Sequence, residues 1–352
     1  MTLRDQLGHA GIVVMCGPGG VGKTTCAAAI ALGSATASRR VLLLTIDPAR
    51  RLADTLGIAD GGLAGSDVSA DGVDVHVVML DAPRQWDALI KRYAPDEETA
   101  QRIIKSPLYR SITGRFVHGH DYIAMEMLYD AATSGKWDLI VIDTPPTRHA
   151  VDFLDAPTRM ADFFSSRLLK WLIAPGGTSV TSVAAKAFSA VAQRILGGQF
   201  LSDIADFFGA LATLSTGFVD RGRAVANLLI DDATTYVVVT TTEEFPRDEA
   251  RHFTSEVRAR GGHLAAWVVN QVYAPVSEGA TTWNGGNDSV QRLLEAAAIR
   301  ERGRIERDEL AIMQLAAEAP VAVGYRRDEM SGSVSELVAF GRDLLDGELR
   351  GA

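Results

Sequence analysis

Cysteine is scarce: the 352 residues hold two, Cys16 and Cys26. Two thiols exclude a disulfide framework and a four-cysteine zinc site within one chain, and they suit a reducing compartment. Long apolar runs are missing too. No uncharged stretch reaches the roughly 20 residues that a membrane-spanning helix needs. The best candidates are 171–185, broken by Pro175-Gly176-Gly177, and the short 207–219. Positive charge is in deficit, with 35 Lys and Arg against 44 Asp and Glu and a net charge of −9. That balance argues against a broad nucleic-acid face. The opening Met1-Thr-Leu-Arg-Asp-Gln6 lacks a charged-then-apolar leader pattern. The expected location is therefore the cytoplasm, free or peripheral at a membrane. Internal repeats and low-complexity tracts are absent.

What is present is core material. The chain is 47% hydrophobic and 22% charged, enough apolar surface to offset the ordering entropy of a folded protein. Its length suits one large α/β domain or two smaller ones. Short apolar runs at 11–15, 41–46, 75–80, 137–142, 236–240, 264–269 and 320–323 read as buried strands. Helical patterns at 23–37, 246–260, 289–302 and 333–345 lie between them. This alternation predicts a mostly parallel sheet flanked by helices. Residues 96–130 and 151–231 break the alternation, look helical, and predict an α-helical subdomain inserted between strands.

The chemistry starts at Gly17-Pro-Gly-Gly-Val-Gly22-Lys23-Thr24-Thr25, which fits G-x-x-x-x-G-K-(S/T) between a strand and a helix. Glycines let successive backbone N–H groups converge on phosphates where side chains would clash. The helix start adds partial positive charge, Lys23 a point charge, and the Thr24 hydroxyl a Mg²⁺ ligand. Asp47 and Asp143 each follow an apolar strand, at the sheet edge where such folds bind ligands. Asp143 suits a direct or outer Mg²⁺ partner; Asp47 is then available to orient or deprotonate water. The fold expected is an α/β P-loop NTPase, a single domain over 1–352 with the insertion at 96–130 and 151–231.

Three segments together resemble the arsenite-pump and tail-anchored-protein-targeting ATPases. They are the phosphate loop, Thr45-Ile-Asp-Pro-Ala-Arg-Arg-Leu-Ala-Asp54 and Asp143-Thr-Pro-Pro-Thr-Arg-His149, with Val268-Val-Asn-Gln271 similar to that family's adenine-contacting strand end. The forms T-I-D-P-A-(K/R)-R-L and D-T-P-P-(S/T)-R resemble the actinobacterial, anion-transporting members. The resemblance implies ATP and Mg²⁺ as cofactors. It implies that Gly19, Gly20, Val21, Gly22, Lys23, Thr24 and Thr25 hold phosphate, with Thr24, Asp47 and Asp143 around the metal. Asp47, with Lys23, would carry catalysis as the activator of water. Asp143 and Thr144 would sense the terminal phosphate, Asn270 would read adenine, and Glu244 would contact nucleotide. The sequence departs from the family in three respects. Pro18 stands where the family's signature lysine would be, and both the C-x-x-C metal clamp and the three-cysteine arsenite site are missing. No zinc and no thiol-bound arsenite are expected.

Other features have plainer readings. His118-Gly-His120 could be half of a metal site, but with no cysteine near and no third ligand it reads as a polar loop or cap; His149 reads as a relay or structural residue, and Trp171 and Trp267 as core. Arg50-Arg51 is either a phosphate contact or a solvated surface. Phe163, Phe164, Leu168, Leu172, Phe207, Phe208 and Leu211 fall at helical-face spacing, and either line a groove for apolar clients or pack on one another and on a sister subunit. The function these readings support is Mg²⁺-dependent ATP hydrolysis coupled to a dimer switch, for client handling or for driving a membrane transport partner. The alternative is a nucleotide-binding regulatory or scaffold subunit of a heteromeric ATPase, paired with a lysine-bearing sister. A partitioning ATPase on DNA or membrane is disfavoured by the acidic balance and the large helical insert.

Overall fold

The computed structural model describes residues 1–46, 53, 56–58, 65–106, 108–109, 119–145, 154–156, 158–159, 162, 207–210, 213, 215–275, 288–327 and 333–351. They fall into two compact units. One comprises Met1–Met79, Ala131–Val151 and Ile230–Ala352; the other comprises Leu80–Asp130 and Asp152–Leu229.

The first unit is built on eight strands: β1 (Ile12–Cys16), β2 (Val41–Thr45), β3 (Ser66–Ala70), β4 (Val73–Met79), β5 (Leu139–Asp143), β6 (Thr234–Thr240), β7 (His263–Val272) and β8 (Val321–Tyr325). They lie in the order β3-β4-β2-β5-β1-β6-β7-β8. All pairings are parallel except the β3–β4 hairpin at one edge. Every residue of β1, β2, β5 and β6 is buried, as expected of parallel strands covered on both faces. From β1 the chain moves to β2 on one side, while β6, β7 and β8 extend on the other. The carboxyl end of β1 is thus a switch point of the sheet, where such folds leave a crevice.

Helices α1 (Leu3–Gln6) and α2 (Lys23–Ser34) belong to this unit. α2 is buried almost throughout, and its alanines let neighbouring backbone approach closely. The last helix of the chain uses that room: a Cβ on its Gly341 would stand 1.8 Å from the Ala29 carbonyl oxygen, so only glycine fits this crossing. Trp267 is core as read, with its indole N–H donated to Thr254 Oγ1 at 2.9 Å.

The second unit's described helices are α3 (Ala82–Tyr93), α4 (Glu97–Lys105), α5 (Gly119–Thr133) and α6 (Ser215–Leu229). Asp81 and Asp96 cap α3 and α4 by accepting from the backbone N–H groups of Arg84 and Thr99. Trp86, Ile90, Tyr122, Ile123 and Phe218 form its core. Phe207 is buried there and Phe208 packs beside it. Phe163, Phe164, Leu168, Leu172, Leu211 and Trp171 lie outside the described residues.

The remaining described helices, in the first unit, are α7 (Glu244–Ala259), α8 (Asp288–Ala316) and α9 (Val334–Asp346), the last carrying Gly341. The sequence pattern ends α8 near Arg302. The helix instead continues through Gly303, because Ala311, Ile312 and Leu315 beyond it are buried and their packing outweighs one glycine. Among the described residues, no helix is long and apolar enough to cross a membrane.

Candidate nucleotide-binding site

β1 delivers the chain to the loop at Gly17, and α2 begins at Lys23 with Gly22 as its N-cap. Gly20 and Gly22 sit at φ +83° and +85°, the left-handed region that glycine enters without a Cβ penalty. Among the described residues, no side chain caps α2. The N–H groups of its first turn are therefore left for an exogenous anion, with the helix dipole behind them. Lys23 and Val21 are buried, while Gly19 is exposed and Thr25 half-buried.

Asp143, fully buried at the end of β5, turns one carboxylate oxygen towards the loop. Its Oδ2 accepts from Thr24 Oγ1 at 2.7 Å and from Thr45 Oγ1 at 3.2 Å. Thr45 pairs directly with Asp143 across β2 and β5. It is a site residue that motif reading passes over, although its hydroxyl closes an apolar strand just before Ile46-Asp47. Thr144, also buried, donates its hydroxyl to the Met15 carbonyl at 2.8 Å and its N–H to the same oxygen at 3.3 Å. Asp143 and Thr144 are thereby anchored to strands on both sides of β5.

Asn270, near the end of β7, donates its side-chain amide to the Val21 carbonyl at 2.9 Å. Gln271 does the same to the Gly20 carbonyl at 3.2 Å, a contact the motif does not announce. Glu244 is an exposed first residue of α7, and among the described residues no hydrogen bond or ion pair ties it to the loop. Nearby, Asp308 of α8 accepts from the Thr242 hydroxyl at 2.6 Å and from the Tyr273 N–H at 3.1 Å, fastening the ends of β6 and β7. Asp47, Arg50, Arg51, His118 and His149 lie outside the described residues, and only the backbone of His120 is described.

Cys16 and Cys26 flank the loop but are buried and free. Burial pushes each thiol up to about 12, so neither offers a thiolate near neutral pH. What the loop does offer is a hydroxyl, a carboxylate, an ammonium and a helix start. Such hard oxygen donors beside backbone N–H groups fit a magnesium–nucleotide phosphate, not a soft metal or arsenical.

A mostly parallel sheet flanked by helices, whose first strand runs through a glycine-turned loop into α2, has the α/β fold of a P-loop NTPase. The chain belongs to the anion-transporting ATPase family, whose profile matches residues 10–285. It is similar to the arsenical pump-driving ATPase of Acidiphilium multivorum, 29% identical over 155 residues, 43% of this chain and 26% of that protein. ATPase ASNA1 homolog 2 of Paramecium tetraurelia is 28% identical over 166 residues, 45% of this chain and 48% of the relative. ATPase GET3C of Arabidopsis thaliana is 26% identical over 284 residues, 74% of this chain and 66% of the relative. The chain thus spans between a quarter and two thirds of the length of these relatives.

Proposed function

We propose that this chain binds MgATP at the loop and hydrolyses it, and that hydrolysis switches the arrangement of a dimer that handles a client or drives a membrane transport partner. The observation that carries the reading is the Thr24–Asp143 pair, 2.7 Å apart at the uncapped start of α2. Gly19 to Thr25 would cradle the phosphates, with Lys23 supplying positive charge to the outer ones. Thr24, Asp143 and Asp47 would hold Mg²⁺, which when bound neutralises charge that builds on the phosphate oxygens. Asp47 would orient the attacking water and take its proton. Asp143 and Thr144, anchored between β1 and β2, would carry the change at the terminal phosphate into the sheet. Asn270 and Glu244 would meet the nucleoside. Residues 96–130 and 151–231 would form the inserted helical subdomain that faces the client or partner. The setting would be the cytoplasm, free or at a membrane surface, without nucleic acid and without zinc.

Pro18 favours a second reading. It is buried within the loop, where the family resemblance places a signature lysine. A chain without that cation would act as a nucleotide-binding subunit of low turnover, paired with a lysine-bearing sister ATPase.

Phosphate release and ADP binding test the first reading together. Asp47→Asn should still bind nucleotide but release phosphate on the order of 10²-fold more slowly. Lys23→Ala should abolish the rise in melting temperature that MgADP produces. Wild-type turnover in Asp47→Asn removes the base assignment, and full ADP protection in Lys23→Ala removes the nucleotide site.

A further inference from the structure

β7 does not stay regular to its end. In a regular strand Asn270 and Gln271 would point to opposite faces of the sheet. Here the register against β8 shifts between Val269 and Val272. Gln271 adopts φ +62°, and among the described residues only Asp71 is the other non-glycine with positive φ. A glutamine in this conformation is disfavoured unless its surroundings hold it there. Gln271 is exposed, so burial does not hold it.

The irregular turn has one visible effect: it brings both amides onto the same loop. Asn270 Nδ2 reaches the Val21 carbonyl at 2.9 Å and Gln271 Nε2 the Gly20 carbonyl at 3.2 Å. The surroundings leave space for this. A Cβ on Gly22 would stand 2.4 Å from Asn270 Nδ2, and one on Gly324 2.8 Å from Asn270 Oδ1.

We infer that Gln271, with Asn270, is a positioning residue that sets the phosphate loop before nucleotide arrives; the inference rests on reading that loop as the phosphate site. A trans peptide points its carbonyl and its N–H in opposite directions. Tying the Gly20 carbonyl to β7 therefore turns the Val21 N–H away from β7, and tying the Val21 carbonyl does the same for the Gly22 N–H. Two donors of the anion cradle are aimed by two side chains of one strand end. The strain at Gln271 is the cost of having consecutive residues serve the same loop. Asn270 then has a second task beside the nucleoside, since the amide that would meet a base is already donated to Val21.

Two variants separate the side chain from the backbone. Gln271→Gly keeps the left-handed conformation at lower cost and deletes the amide. Gln271→Glu keeps the shape but puts an acceptor where a donor stood. Hydrogen exchange is followed in a peptide spanning 17–25 of the nucleotide-free full chain, and MgADP affinity is measured by calorimetry. Both variants should exchange the loop amides several-fold faster than wild type. Gln271→Gly should bind MgADP roughly fivefold more weakly, the factor expected from one lost hydrogen bond. Loop exchange in Gln271→Gly at the wild-type rate overturns the inference, whatever happens to nucleotide. Faster exchange in a chain whose wild type binds no nucleotide leaves the positioning role standing and removes the nucleotide reading instead.

Discussion

Thr24 and Asp143 stand 119 residues apart in the chain, yet the Thr24 hydroxyl donates to the Asp143 carboxylate at 2.7 Å. The contact follows from topology: β5 lies beside β1, so its last residue faces the first turn of the helix that β1 feeds. Thr45, from the strand on the other side of β5, gives the same oxygen a second hydroxyl. A fully buried carboxylate between two hydroxyls is costly to desolvate and is kept in place by those bonds.

The pair is predicted to confer metal dependence. Asp143→Asn keeps the side chain's size while removing its charge. ADP affinity in magnesium should fall to the value measured in EDTA, with far-UV circular dichroism unchanged. Calorimetry under both conditions reads the effect; a magnesium-dependent affinity that survives the change counts against Asp143 as a metal partner.

Much of this arrangement is legible in the sequence, because parallel strands covered on both faces are written as unbroken apolar runs. β1, β2, β5 and β6 stand out for that reason. β3 does not: Ser66-Asp-Val-Ser-Ala70 buries only Val68, as an edge strand can. Its signal lies in the next two residues, Asp71 and Gly72, at φ +52° and +77°, a two-residue hairpin turn. α3 is hidden similarly, since Pro83 looks like a breaker but occupies the first turn, where its missing N–H costs nothing. Thr45 and Gln271 fall inside segments that resemble the family, yet those segments assign neither a role. Their roles depend on strand register and on one irregular turn, which periodicity does not encode.

The two thiols give a prediction about pH. Burial holds Cys16 and Cys26 protonated up to about 12, against an ordinary value of 9.0. Unfolded chains ionise first, so the folded state loses stability as pH rises from about 9 towards 12. Cys26→Ala should show a shallower loss between pH 9 and 11 in urea titrations. At pH 8, neither thiol of the native chain should react with a thiol reagent until the protein is unfolded, and arsenite should leave the melting temperature unchanged.

The helical unit contains its own electrostatic test. Glu126 on α5 is almost fully buried, and burial raises its carboxyl above the usual range. Tyr122 donates to one of its oxygens, and Arg221 on α6 donates to the other at 2.9 Å. Arg221 also pairs with Asp130 and lies 4.1 Å from the centre of the Tyr129 ring. Arg221→Met removes the compensating cation and leaves a buried carboxylate with only the Tyr122 and Tyr93 hydroxyls as donors among the described residues. Such losses cost about 3–5 kcal/mol. Part of that should return as pH falls and Glu126 takes up a proton. Adding Glu126→Gln to Arg221→Met should restore part of it at pH 7.5. Urea unfolding of the three chains at pH 5 and 7.5 checks the order; a single variant as stable as wild type at both values would show that the pair carries no net stability.

Pro18 decides between the two functional readings. It is buried between Gly17 and the exposed Gly19. Gly17 has φ +152°, and a Cβ there would stand 2.2 Å from the Val239 carbonyl oxygen. The loop's entry is thus pressed against β6, and proline fixes φ at the next residue. A chain built this way lacks the cation that the family resemblance would send across a dimer interface to a partner's nucleotide. Loss of such a trans cation can lower phosphoryl transfer by about 10³- to 10⁵-fold. In a homodimer both sites would be affected. In a pair with a lysine-bearing sister, this chain's Lys23, Asp47 and Asp143 would form the activated site and the sister's own site would be left incomplete. The isolated chain should therefore turn over slowly. Pro18→Lys should raise its rate, with a dependence on protein concentration that marks activation in trans. Steady-state phosphate release over a hundredfold range of protein concentration makes the comparison. A fast wild-type chain, indifferent both to Pro18→Lys and to concentration, would falsify the asymmetric pair.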